Sequence, residues 1–76
     1  MTEILEYIAK SLVTHKDDVS IRVEETETTT VLHLTVHQED MGQIIGKQGR
    51  VIQAIRSIIK TASRGMDKRY LVEIDE

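Results

Sequence analysis

A chain of 76 residues and 8.7 kDa is long enough for one shared hydrophobic core and too short for a second domain. It contains no Cys, Trp or Phe and only two Tyr, which excludes disulfides, thiolate metal sites and Cys nucleophiles and leaves Ile, Leu and Val to build the core. As a total, the net charge of −3 argues against a polyanionic partner, but the distribution reverses that argument. Residues 1–40 carry nine acidic side chains against Lys10, Lys16 and Arg22, whereas residues 41–72 carry seven basic ones against Asp67 alone. The two stretches are therefore −6 and +6, with Glu73, Asp75 and Glu76 supplying the rest. The start lacks the basic-then-apolar order of a signal peptide, and no apolar run approaches the about 20 residues of a membrane span. A cytoplasmic protein is the expectation.

Ile4, Leu5, Ile8, Ala9, Leu12 and Val13 recur at three- and four-residue spacings and predict an amphipathic helix with Thr2 as its N-cap. From Val19 the pattern alternates, with Val19, Ile21 and Val23 on one face, and a second alternating run places Leu32, Leu34 and Val36 together. Two strands joined as an antiparallel hairpin through 25–30 follow from this. Asp40 is placed to cap a short helix carrying Met41, Ile44 and Ile45, which must end at Gly46. A longer helix is predicted from about Arg50 to Arg64, with Val51, Ile52, Ile55, Ile58, Ile59 and Ala62 on one side, stopped by Gly65. Alternation returns in Tyr70, Val72 and Ile74, giving a third strand. The order αββααβ predicts an α+β fold in which three helices cover one face of a three-stranded sheet.

Between the two apolar helices stands Gly46-Lys47-Gln48-Gly49-Arg50. Glycine at both ends of the connection permits positive φ and close backbone approach. The loop feeds a helix N-terminus, whose unpaired amides favour anions, and Lys47 and Arg50 add full charges. This GXXG between helices, preceded by Ile44-Ile45 and followed by Val51-Ile52, resembles the signature of the KH family. The helix and strand ahead of the βααβ core resemble its type II arrangement, and Glu39 to Arg50 together with the length is similar to the small bacterial members.

The resemblance implies a single KH domain over residues 1–76, in which Gly46, Lys47, Gln48 and Gly49 clamp a sugar-phosphate backbone. Arg50, Gln43 and Ile44 adjoin that clamp, and about four unstacked nucleotides of single-stranded RNA lie over an aliphatic groove. It also implies an RNA chaperone or post-transcriptional regulator, and a homodimer or a complex with a larger KH-domain protein. The scarcity of aromatics agrees, since it disfavours a base-stacking platform. The alternative is a protein-interaction module docking through an apolar helix face.

No enzyme, cofactor or metal is expected. GxxxxGK[ST] and a post-strand GxGxxG are absent, and no acid–base set stands out. His33 and His37 are read on one side of one strand, about 13 Å apart and too far for a shared metal. His15 is read as a helix-end residue without a carboxylate partner, and Arg56, Lys60 and Arg64 share one helix face that is either a solvated polar face or an RNA-facing stripe.

Overall fold

A computed structural model describes residues 1–75. Helix α1 spans Thr2–Leu12, strands β1 and β2 span Ser20–Glu25 and Thr29–Thr35, helices α2 and α3 span Met41–Ile45 and Arg50–Ala62, and strand β3 spans Arg69–Ile74. The predicted order is the observed one. Short 3₁₀ turns at Lys16–Asp18, Gln38–Asp40 and Lys47–Gly49 link the elements. Thr2 is not the N-cap of α1: Met1 holds that position, and its carbonyl accepts from Leu5 N–H at 3.1 Å.

The sheet runs β1-β2-β3 and is mixed: β1 pairs antiparallel with β2, and β2 pairs parallel with β3. Parallel neighbours need a crossover, which α2, the glycine loop and α3 provide. Register aligns Ile21, Leu34 and Ile74 in one row and Val23, Leu32 and Val72 in the next. These rows lie under the helices, and Leu32, Leu34 and Val72 are buried there with Leu5 and Ala9 of α1, Ile44 of α2, and Ile52, Ile55 and Ile59 of α3. The core is wholly aliphatic, as the composition required.

The buried stripe of α3 is narrower than its apolar arc. Ile52, Ile55 and Ile59 point inward, while Ile58 on the flank is 47% exposed and Ala62 in the last turn is exposed. Among the described residues no helix covers the opposite sheet face. There Arg22, His33 and Glu73 form one row, and the His33 ring bridges Glu24 Oε1 at 2.9 Å and Asp75 Oδ1 at 3.3 Å.

Candidate nucleic-acid interface

Helix α2 has five residues, too few to stand without tertiary support. Asp40 supplies that support in an unexpected direction. Its carboxylate does not cap α2; it accepts Thr14 N–H at 3.0 Å, His15 N–H at 2.9 Å and the His15 ring Nδ1 at 3.1 Å, 25 to 26 residues back in the chain. The backbone donors, His15 first and Thr14 second, hold the Asp40 carboxyl down at about 2 from an ordinary 3.8. Burial of the side chain pushes the other way and is outweighed. An ionised Asp40 thus fastens the start of α2 to the end of α1.

The far end of α2 opens into the loop. Gly46 adopts φ 75° and ψ 170°, a region essentially closed to side chains, and a Cβ there would lie 2.8 Å from the Val51 amide nitrogen. The close approach that needs glycine here is therefore made by the first turn of α3. Gly49 is left-handed at φ 74° and ψ 16°, with nothing nearer than Ile52 Cγ2 at 4.0 Å, so its surface faces open space. Gln48 is also left-handed, at φ 56° and ψ 26°, the one non-glycine residue with positive φ among the described residues. Such a conformation costs on the order of 1 kcal/mol and persists where surroundings impose it, often at ligand clamps.

This path sets the donors. The Gly46 amide bonds Gly42 O at 2.8 Å and the Gly49 amide bonds Gly46 O at 3.1 Å. Lys47 and Gln48 are exposed, as are Arg50 and Gln43, and neither Lys47 nor Arg50 enters an ion pair among the described residues. Two cations without an ion-pair partner among the described residues thus flank a turn of positive-φ backbone, an arrangement suited to an anion.

Ile44 does not join that surface. It is 0% exposed and anchors α2 in the core, whereas its neighbour Ile45 lines a cleft with Val36, Met41, Thr35, Gln38 and Asp75. This cleft lies beside α2, whose last residue Ile45 precedes the loop, and its apolar lining is Val36, Met41 and Ile45. The sequence could not tell which of the two is covered, because both are apolar and a five-residue helix has too few turns to fix its phase. The basic stripe is also broken: Arg56 Nε donates to Val72 O at 3.1 Å on edge strand β3, and Arg64 lies past the end of α3. Lys60 remains exposed.

The histidines are placed differently from the prediction. Strand β2 ends at Thr35, so His37 leaves the sheet, and its ring stacks on that of His15 with centroids 3.8 Å apart and planes 13° from parallel. His15 has two carboxylate partners, Asp40 at Nδ1 and Glu39 at Nε2, which sequence spacing could not reveal.

The family model described as the KH domain of KhpA and KhpB matches residues 2–74. A Clostridium acetobutylicum protein named RNA-binding protein KhpA is 49% identical over 74 residues, covering 97% of this chain and 99% of that one. A Listeria monocytogenes protein of the same name is 45% identical across the full length of both, and a Borreliella burgdorferi one is 42% identical over 95% of this chain and 88% of its own. With an αββααβ fold, a mixed sheet and GXXG joining its last two helices, the chain belongs to the KH-domain family of KhpA and KhpB, a family of binding domains and not of enzymes.

Proposed function

We propose that this chain binds single-stranded RNA by gripping one stretch of backbone on the loop Gly46-Lys47-Gln48-Gly49. The observation that carries the reading is a turn of positive-φ residues, Gly46, Gln48 and Gly49, that leaves Lys47 and Gln48 exposed beside the charges of Lys47 and Arg50, neither of them in an ion pair among the described residues. The phosphate backbone lies against the loop, Lys47 and Arg50 neutralise charge, and the bases lie along the aliphatic cleft of Val36, Met41 and Ile45. The relatives' name, RNA-binding protein KhpA, supports the same partner. Residues 1–76 act as one such domain, in the cytoplasm, as an RNA chaperone or post-transcriptional regulator. Because one module covers few nucleotides, pairing with a second copy or with a larger KH-domain protein raises avidity.

The test is Lys47→Asp with Gln48→Asp, assayed by ultraviolet crosslinking to RNA. Asp tolerates the left-handed conformation of position 48, so the fold should survive. Loss of crosslinked RNA at an unchanged melting temperature is the expected result, and crosslinks at the wild-type level refute the proposal. In wild type, neutralising about three phosphates of a single strand gives log K against log salt a slope of about −2.

A second reading, a protein-interaction module, draws on Ile58, 47% exposed on α3. It requires Ile58→Asp to abolish self-association in sedimentation velocity, and it fails if the mass is unchanged.

A further inference from the structure

Away from the glycine loop, and among the described residues, two histidines and a carboxylate from separate parts of the chain come within reach of one ion. His15 lies after α1, and His37 and Glu39 lie in the turn before α2. One ligand atom from each falls within 4.8 Å of the other two. Glu39 Oε1 is 3.3 Å from His15 Nε2 and 3.7 Å from His37 Nδ1. Four donors at about 2.0–2.1 Å around a tetrahedral ion lie about 3.3–3.4 Å apart, so two of the three separations are already near those of a bound site.

We propose that His15, His37 and Glu39 form a site for a borderline divalent transition ion, with zinc as the reference case. The two imidazoles and one carboxylate match that class of ion and not magnesium or calcium, which take oxygen ligands. All three side chains reach solvent, with exposures of 39% for His15, 34% for His37 and 73% for Glu39, so an ion has a path in.

The surroundings of His15 resemble those of an established metal ligand. Its Nδ1 lies 3.1 Å from Oδ2 of the buried Asp40, which selects the tautomer carrying hydrogen on Nδ1 and leaves the Nε2 lone pair facing Glu39. Two main-chain amides hold that same carboxylate, so the ring is oriented by a fixed group. His37 is the ligand that moves. Its Nδ1 accepts Glu39 N–H at 3.0 Å, and its ring lies nearly parallel to that of His15, so the two rings' lone pairs do not converge. Binding swings His37 out of the stack and releases that amide to water. Water completes the coordination, because the cluster supplies three protein ligands.

The position gives the ion a structural consequence. It joins the end of α1 to the turn leading into α2, the same two segments that Asp40 ties from the buried side.

The experiment is a zinc titration of the untagged full chain at pH 7.5, read by calorimetry and by the histidine ring signals in NMR. One equivalent should bind, with the His15 and His37 ring signals shifting and those of His33 staying in place. His15→Ala, His37→Ala and Glu39→Ala should each weaken binding at least tenfold, and His33→Ala should leave it within twofold. Circular dichroism without metal verifies that each variant is folded, and zinc should raise the melting temperature of wild type but not of His15→Ala. Stoichiometry well below one, or affinity within twofold of wild type in folded His15→Ala, overturns the proposal.

Discussion

Alanine substituted in turn at Gly42, Gly46 and Gly49 meets three different environments within eight residues. Gly42 lies inside α2 with nothing within 4 Å of an added Cβ, so Gly42→Ala removes chain entropy from the unfolded state and stabilises by about 0.5–1 kcal/mol. At Gly49 the left-handed backbone costs a side chain about 1–2 kcal/mol, partly offset by about 0.4–1 kcal/mol from the same entropy gain. The net is a loss of about 1 kcal/mol. At Gly46 the backbone penalty is about 1–3 kcal/mol, and the new Cβ also sits 2.8 Å from both Val51 N and Val51 Cβ. Rotating the Val51 side chain relieves neither contact, so the start of α3 must shift and the total exceeds about 3 kcal/mol. For a domain of this size each kcal/mol moves the melting temperature by about 4–8 °C. Thermal and urea unfolding should therefore rank the variants Gly42→Ala above wild type, Gly49→Ala a few degrees below it and Gly46→Ala more than about 12 °C below. The reasoning is refuted if Gly46→Ala melts level with Gly49→Ala, or if Gly42→Ala is the most damaging.

Ile59→Ala, which empties a fully buried position, should cost about 2–5 kcal/mol in urea unfolding, whereas Ile58→Ala one residue away should stay within about 0.5 kcal/mol. Equal losses would contradict the observed phase of α3. Asp40 titrates lower in the folded protein than in the unfolded chain, so its contribution is complete above pH 3.8 and drains as pH falls toward about 2. Acid unfolding in the presence of chelator should accordingly be less steep for Asp40→Asn, which also melts lower at neutral pH; matching acid profiles would count against the Thr14 and His15 contacts. Gln48→Gly relieves a left-handed side chain and should raise stability by a few tenths of a kcal/mol to about 1 kcal/mol in the same assay, and a loss would count against the conformation assigned to that residue.

Five of the six elements were legible because each carries its own period, three to four in α1 and α3 and two in the strands, and α2 was legible from Asp40 ahead of it and Gly46 behind it. The GXXG loop was legible because glycine at both ends of a helix break has few other uses. What escaped belongs to contacts between distant residues. Nothing near Asp40 signals that its carboxylate accepts from residues 14 and 15, since a local N-cap uses the same residue type. His37 looked like the next member of an alternating strand, and the strand ends two residues before it because the chain turns into the 3₁₀ segment at Gln38. Ile58 and Ile59 are chemically identical, and the packing of α3 on α1 and the sheet decides which one is covered. Likewise the parallel pairing of β2 with β3 is set by the crossover and not by any residue within β3.

The carboxylate that fastens α2 also fixes how much chain can lie between Leu12 and Ser20. An added or deleted residue there would slide Thr14 and His15 along Asp40, tilt the five-residue helix and carry the exposed turn at its end to a new place. Spacing in a distant stretch thus governs the aim of the loop, and, if the loop grips RNA as proposed, length variants at 13–18 should lose nucleic-acid contact before they lose their fold.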